Sequence, residues 1–187
     1  MQCPSCRKKI NDMVLKCPIC GFTYEKISRL IQRLPRKRGW FIDDADIIKE
    51  EFTNQIYEYL IEFNRETHIQ FYVVTIPDSN GVRPAEYAFY FLNYYNIGGP
   101  GHRGVVLILS LKEKRITCEV GYSLEHILTD EYAREILIQE AAPLLKKQKY
   151  GEALYASINL IGDLLRLEGS PLERVLGQIG SAMKGRN

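Results

Sequence analysis

The sequence lacks any long apolar stretch. None of its runs approaches the roughly 20 uninterrupted apolar residues that a membrane-spanning helix needs, so we expect no transmembrane segment. With 45% hydrophobic and 26% charged residues, the chain has the composition of a globular protein. Residues 1–20 hold four cysteines and three lysines where a secretory signal peptide needs an apolar core. We therefore expect a cytoplasmic, thiol-reducing location.

The motifs of several common enzyme classes are missing as well. The sequence has no serine elbow, no phosphate-binding glycine loop and no Cys-His arrangement for nucleophilic catalysis. His102 and His126 have no defined spacing for a metal pair. We interpret both as surface histidines, and a second metal pair is the alternative. The chain also shows no internal repeat.

Acidic residues are scarce at the start of the chain. Residues 1–39 carry ten Lys or Arg against two acidic residues, a net charge of +8, which leaves 15 basic and 21 acidic residues for the rest. The run Arg36-Lys37-Arg38 could contact nucleic-acid phosphates or an anionic membrane surface. We favour a solvated basic linker over residues 25–39, with a short amphipathic helix over 26–34. Nucleic-acid binding there is expected to be weak, salt-sensitive and independent of sequence.

Cysteine is rare except near the start of the chain. Four cysteines form two C-x-x-C knuckles separated by ten residues: Cys3, Cys6, Cys17 and Cys20. Four thiolates so spaced can close a tetrahedral Zn²⁺ shell around a segment too short to bury a core. We predict a zinc ribbon with one structural zinc over residues 1–24; the alternative, reduced or disulfide-linked thiols, is disfavoured in a reducing compartment. Cys118, alone on the apolar side of a strand, is predicted to be a core residue.

The rest of the chain alternates between helical and extended patterns. Apolar residues at helical spacing predict four helices: 46–67, 84–95, 130–145 and 150–167. Short β-rich runs predict three strands: 69–76, 105–111 and 115–120. A capping-box start with proline at the first helical position predicts a last helix and tail over 168–187. The sum is an α/β fold with helices on both faces of a small central β-sheet.

The last two predicted strands organise the chain. They are joined as a hairpin by the charged turn Lys112-Glu113-Lys114. Because the hairpin turns there, the start of its first strand and the end of its second lie together. Two polar loops, 98–104 and 121–130, are thereby brought to one edge. We predict that this edge carries the functional site.

This central segment resembles a known family. A glycine-rich loop, a buried strand, a charged turn, a strand ending Glu-Val-Gly-Tyr at 119–122 and Leu-Thr-Asp at 128–130 opening a helix are similar to the TPM domain. That domain is the fold of a thylakoid-lumen acid phosphatase and of related bacterial proteins. The similarity includes Phe-Ile-Asp-Asp-Ala-Asp-Ile-Ile at 41–48 and Lys-Tyr-Gly at 149–151. It covers residues 40–167 and implies a TPM-type α/β/α sandwich.

The resemblance also implies a cleft. The matching positions carry over six residues: Asp43, Gly104, Glu119, Gly121, Glu125 and Asp130. In related proteins this cleft is linked to divalent-metal binding and to phosphatase activity. Carboxylates that converge at a strand edge would hold a hard cation such as Ca²⁺ or Mg²⁺, which would polarise a phosphate. Alternatively, Asp43 and Asp130 simply satisfy helix N-termini.

The sequence departs from the family pattern beside this cleft. His102-Arg103 stands where an acidic-Asn pair is usual, and Gly-Tyr-Ser at 121–123 replaces Gly-Tyr-Gly. The added positive charge opposes a divalent cation, whereas it favours a phosphate or carboxylate supplied by a partner. We therefore predict a non-catalytic binding or scaffold module that contacts a protein partner. A divalent-metal-dependent phosphatase is the alternative, and weak nucleic-acid binding through the ribbon and basic linker is a third.

Overall fold

The computed structural model describes residues 3–11, 14–31 and 33–167, and for Asp130 it describes only the backbone. The predicted helix and tail over 168–187 lie outside the described residues. Within the described part of the chain, no helix combines the length and the apolar character needed to cross a membrane.

One four-stranded sheet forms the centre of the protein, in the order β1-β2-β3-β4. Its strands are β1 (Phe41–Asp43), β2 (Gln70–Ile76), β3 (Gly104–Ser110) and β4 (Arg115–Val120). The first three strands are parallel, and β4 is antiparallel to β3, as expected for the predicted hairpin. The described helices are α1 (Tyr24–Leu30), α2 (Glu50–Thr67), α3 (Pro84–Tyr94), α4 (Asp130–Ile136), α5 (Ala142–Lys146) and α6 (Tyr150–Arg166).

Strand β1 was not predicted. Its three residues are too few to show an alternating pattern, and they become a strand only because Phe41 pairs with Val73 of β2. The following helix also begins later than predicted. The carboxylate of Asp43 accepts hydrogen bonds from the backbone N–H groups of Ile47 and Ile48, at 3.1 and 2.9 Å. These bonds hold the intervening chain in a loop, so α2 starts only at residue 50.

The predicted helix over 130–145 is interrupted. A π-helical turn over Leu137–Ala141 separates α4 from α5. Pro143 lies in the first turn of α5 and has no N–H to donate to the carbonyl of Gln139, one turn earlier. The missing donor explains why regular α-helical hydrogen bonding does not continue through this segment.

Helices cover both faces of the sheet, as predicted. Side chains of β2 and β3 alternate between two cores, so Val73 and Leu107 belong to the core under α2, α4 and α6, whereas Val74 and Ile108 belong to the core under α1 and α3. Strands buried on both faces are the usual consequence of such a three-layer α/β/α arrangement. Cys118 lies in the first core and is 9% exposed, which confirms the prediction that it is a core residue.

The N-terminal segment packs against α3. The guanidinium of Arg83 donates a hydrogen bond to the Ser5 hydroxyl, and the Phe22 ring meets Phe89 edge-on at 5.7 Å. Helix α1 also packs against α3, since the ring centroids of Tyr24 and Tyr90 lie 4.9 Å apart. The cysteine-rich segment is thereby placed on the α3 face of the sheet, next to strand β4.

Candidate functional site

The four clustered cysteines come together in space. All four Sγ atoms lie within 4.8 Å of one another. The Cys3–Cys20 pair is 3.7 Å apart and the Cys6–Cys17 pair 3.8 Å apart. Zinc–sulfur bonds of about 2.3 Å in a tetrahedron place neighbouring sulfurs about 3.8 Å apart. The cluster therefore fits a structural zinc ion, and in the described part of the chain no other group of three or more potential ligand residues is found.

Backbone turns hold these cysteines in place. In the second knuckle the N–H of Gly21 donates to the Cys17 carbonyl, and the N–H of Cys17 donates to the Phe22 carbonyl. Gly21 has φ +73°, a left-handed conformation that suits glycine. In the first knuckle, Arg7 takes the corresponding left-handed position at φ +59°, and its N–H donates to the Cys3 carbonyl.

The pKa values of two of the thiols, Cys3 and Cys20, are shifted in opposite directions. Burial raises the pKa of Cys3 to about 12. A hydrogen bond from the Ser5 hydroxyl, together with one from the backbone N–H of Phe22, lowers the pKa of Cys20 to about 6. A zinc site needs all of its thiols deprotonated, and four adjacent thiolates repel one another unless a cation lies between them. The ion would supply the charge that allows Cys3 to ionise.

The two predicted polar loops do lie together at the open end of the hairpin. The N–H of Gly121 donates to the Gly104 carbonyl at 2.7 Å, and the Ser123 hydroxyl donates to the His102 carbonyl at 2.9 Å. A Cβ atom on Gly104 would lie 2.5 Å from the Ile97 carbonyl oxygen. One on Gly121 would lie 2.2 Å from the His102 carbonyl oxygen. Both glycines therefore permit close contact between backbones, and the space beside them is filled by main chain.

Arg103 helps to close this junction. Its guanidinium donates to the carbonyl of Thr67 at 3.1 Å, at the C-terminal end of α2, where a cation is favoured. Its own carbonyl accepts the N–H of Gln70, and the Gln70 side chain accepts the N–H of Gly98. The basic residue that departs from the family pattern thus stabilises the joint between α2, β2 and the glycine-rich loop.

The predicted group of carboxylates does not assemble as expected. Asp43 pairs with Thr75, and Thr75 pairs with Leu109, near the closed end of the hairpin. Glu119 pairs with Val106, near its open end. Three strand spacings and three residues of strand rise separate the Asp43 and Glu119 backbones, roughly 17 Å in all. The Asp43 backbone therefore lies towards a different end of the sheet from that of Glu119.

Asp43, Glu125 and Asp130 each lie in a different local structure. The Asp43 carboxylate also accepts a hydrogen bond from the Thr75 hydroxyl, which adds to its two backbone bonds. Glu125 is half-buried after a 3₁₀ turn over Tyr122–Leu124. Asp130 begins α4, but Thr129 is the N-cap, and its hydroxyl accepts the N–H of Tyr132 at 3.2 Å.

A groove that the sequence did not predict runs along the outer edge of β4. It has a volume of about 330 Å³, and we call it the β4 groove. The ribbon and the start of α3 form one wall, β4 forms the floor, and α4 with the π-turn forms the other wall: Cys3, Pro4, Arg7, Ala85, Ile116, Thr117, Cys118, Glu119, Glu131, Arg134 and Leu137. Cys3 of the cysteine cluster is therefore part of the groove wall.

Alternate residues of β4 direct their backbone N–H and C=O groups outward, away from β3. Gly121 and Gly104 form a hydrogen-bonded antiparallel pair, and such pairs alternate along the ladder. Thr117 and Glu119 therefore bond to β3, whereas Ile116 and Val120 direct their N–H and C=O groups away from it. Strand β4 is the last strand of the sheet in the described part of the chain.

Arginine side chains give the groove a positive end. Arg7 and Arg134 line the groove itself. A smaller adjoining cavity of about 60 Å³, at the start of β4, is lined by Arg7, Arg83 and Arg115. These residues come from four separate parts of the sequence and meet only because the ribbon packs on α3. Sequence patterns therefore gave no signal for the groove beyond the alternation of β4.

Comparison with known proteins agrees with this architecture. The sequence matches the TPM domain family over residues 41–164, more than half of the chain. The N-terminal domain of a protein from P.gingivalis has a TM-score of 0.63 at 22% identity, over 70% of this chain and 83% of that one.

Two further solved structures share the fold at lower identity. The N-terminal domain of cg2496 from Corynebacterium glutamicum has a TM-score of 0.55 at 14% identity, over 71% of this chain and 83% of that one. BA42 from the psychrophilic bacterium Bizionia argentinensis has a TM-score of 0.55 at 12% identity, over 64% and 82%. No curated protein matches the chain. The similarity to these structures shows the fold, and the match over residues 41–164 shows that the chain belongs to the TPM domain family.

Proposed function

We propose that this protein is a non-catalytic binding module that takes up an extended segment of a partner protein along β4. The observation that carries the proposal is the β4 groove, which lies over the outer edge of an edge strand. A zinc ion in the cysteine cluster would keep the ribbon folded as one wall of that groove. Its role would be structural, and the chemistry of recognition would belong to β4 and the surrounding side chains.

The recognition mode follows from the orientation of the strand. An extended peptide that joins a sheet edge gains main-chain hydrogen bonds, while its alternate side chains enter the pockets on either side. Ile116, which lines the groove, offers an outward donor and acceptor for this purpose. Arg115, at the start of β4, favours a segment that carries a carboxylate at that end, since guanidinium groups bind carboxylates with two parallel hydrogen bonds. An acidic, extended partner segment is thus the occupant that we propose.

The placement of the acidic residues favours binding over catalysis. The Asp43 carboxylate already accepts hydrogen bonds from Ile47, Ile48 and Thr75, and it lies at the opposite end of the sheet from Gly104. Ca²⁺ and Mg²⁺ need several oxygen ligands at one point. We therefore propose no Ca²⁺ or Mg²⁺ site in the predicted cleft.

The groove can be tested with peptides of random sequence. Selection of 12-residue peptides from a displayed library against the zinc-loaded chain should enrich acidic sequences. We expect Arg134→Glu to weaken the selected peptides about tenfold or more, because it reverses an exposed charge in the groove. The matched control is Arg65→Glu, an exposed charge reversal on α2. Equal loss of binding in both variants would count against the groove.

Nuclear magnetic resonance can locate the bound peptide. On titration, the backbone amide signals of Ile116 and of its groove-lining neighbour Thr117 should shift most. Ile116→Pro should weaken binding because it removes one outward N–H while sparing the bonds to β3, a substitution that edge strands tolerate. Peptides that leave these amides unchanged would place the binding site elsewhere.

Phosphatase activity is expected to be at background level. Assays with Mg²⁺, Mn²⁺ or Ca²⁺ should give equal rates for the wild type, Asp43→Asn and Asp130→Asn. General acid–base help from a single histidine such as His102 contributes about 10²–10⁴-fold, far less than phosphate-monoester hydrolysis requires. Thermal unfolding of each variant would show that it is folded. Metal-dependent turnover that either substitution abolishes would restore the phosphatase.

A further inference from the structure

A second surface combines exposed tyrosines with the basic linker. Tyr94 is 58% exposed and Tyr57 is 42% exposed. Between them runs the segment Arg36-Lys37-Arg38, whose three side chains are all exposed. We call this region the tyrosine edge. It lies at the N-terminal end of the parallel strands, on a different part of the molecule from the β4 groove.

Direct contacts hold the linker against the tyrosines. The Tyr95 hydroxyl donates to the Pro35 carbonyl at 2.8 Å, and the Lys37 ammonium lies 3.5 Å from the Tyr95 carbonyl oxygen. On the other side, Gly39 passes the Tyr57 ring so closely that a Cβ atom there would lie 2.9 Å from a ring carbon. The basic segment is therefore docked on the domain.

Tyr94 also belongs to a chain of packed tyrosine rings, in which Tyr24 and Tyr94 are exposed and Tyr90, between them, is buried. The ring centroid of Tyr94 lies 5.0 Å from that of Tyr95 and 5.7 Å from that of Tyr90. The centroids of Tyr90 and Tyr24 are 4.9 Å apart. Burial raises the pKa of Tyr24 and of Tyr95, so these phenols stay neutral at physiological pH. The exposed rings of Tyr24 and Tyr94 therefore present apolar faces without adding negative charge.

The charge of the linker is available for an anionic ligand. In the described part of the chain, no ion pair joins Arg36, Lys37 or Arg38 to an acidic side chain. Three adjacent cations can follow a phosphate backbone, and each phosphate contact releases a counterion. Exposed ring faces beside such a row of cations are suited to stacking of unpaired bases.

We propose that the tyrosine edge binds single-stranded nucleic acid without sequence preference. The phosphates lie along Arg36, Lys37 and Arg38, and the bases stack on Tyr94 and Tyr57. A duplex satisfies only the first requirement, because its bases are already stacked on one another. An anionic membrane surface also satisfies only the first. Single-stranded nucleic acid is the ligand that uses both features.

The test measures fluorescence anisotropy of labelled 15-residue oligothymidylate with the zinc-loaded full chain. Tyr94→Ala should weaken binding at least about fivefold, the effect of losing one stacked base. Tyr132→Ala, which removes another exposed tyrosine on α4, should leave binding unchanged. Replacing Arg36, Lys37 and Arg38 together by alanine should lower the slope of log affinity against log salt by about 2.

Controls separate this surface from general electrostatics. Alanine at Lys112, Lys114 and Lys146 removes the same charge from exposed positions elsewhere and should change the slope much less. Equal effects of the two triple variants, or no effect of Tyr94→Ala, would overturn the proposal. So would equal affinity for a 15-base-pair duplex. Displacement of the oligonucleotide by phosphatidylserine vesicles, with no effect of Tyr94→Ala on either ligand, would instead identify an anionic-lipid surface.

Discussion

Removing zinc, by chelation or by Cys17→Ser, is expected to unfold the ribbon and leave the four-stranded sheet folded. Residues 1–24 cannot bury a hydrophobic core of their own, so metal binding must supply most of their folding free energy. In small zinc modules that contribution is about 10–16 kcal/mol at neutral pH. Cys17 is 2% exposed, and its Sγ lies 3.8 Å from that of Cys6, so serine cannot replace it as a soft ligand.

Metal analysis and hydrogen exchange together test this expectation. Purified protein should contain about one zinc per chain, and Cys17→Ser should lose it. The amides of Cys17 and Gly21, which bond to backbone carbonyls within the ribbon, should then lose protection from exchange. The β2 and β3 amides should keep theirs. Cys118→Ala is the matched control because this cysteine lies in the core, outside the cluster.

Loss of the ribbon should also abolish peptide binding along β4, since Cys3, Pro4 and Arg7 form one wall of the groove. Binding of oligothymidylate at the tyrosine edge should fall less, because the linker also contacts the domain through Tyr95 and Tyr57. A metal-free protein whose ribbon amides are equally protected with and without chelator would contradict the zinc prediction.

The parts of the fold that sequence could predict are those set by local patterns. The apolar run of β3 and the alternation of β4 required a hairpin, and the helical spacing of α2 and α6 required helices on the sheet. Strand β1 could not be predicted in this way, because only its pairing with β2 defines it. The π-turn was missed because helical periodicity continues through it, although Pro143 was a visible signal.

The candidate site likewise has parts that local sequence patterns predict and parts that depend on contacts between distant segments. Cysteine spacing is a local property, so the cluster could be identified from residues 3–20 alone. Motif similarity placed Gly104 and Gly121 in the cleft, and the structure brings their backbones together, but a motif does not show which end of a strand each acidic residue occupies. The position of Asp43 relative to the other acidic residues depends on strand pairing instead. The β4 groove and the tyrosine edge depend on contacts between distant segments, such as Arg83 with Ser5 and Tyr95 with Pro35.

The closed junction at the end of the hairpin predicts a large cost for Gly121→Ala. The new Cβ atom would lie 2.2 Å from the His102 carbonyl oxygen and 2.9 Å from that of Gly104. Both oxygens accept hydrogen bonds, from the Ser123 hydroxyl and the Gly121 N–H respectively, so neither can move without breaking one. We expect the free energy of unfolding to fall by about 3 kcal/mol or more, at the upper end for overpacking.

Gly81→Ala is the matched control for this substitution. Gly81 has φ +77°, and a Cβ atom added there would have no heavy atom within 4 Å, so its cost comes from backbone conformation alone, about 1–2 kcal/mol. Gly121 has φ −66°, which alanine adopts freely, so its cost is steric alone. Urea denaturation would compare the free energies of unfolding of the two variants directly, provided that the dependence of the free energy on urea concentration has the same slope in both. If Gly121→Ala costs less than Gly81→Ala, the junction has room for a side chain, and the cleft inferred from the family resemblance would again have space for a ligand.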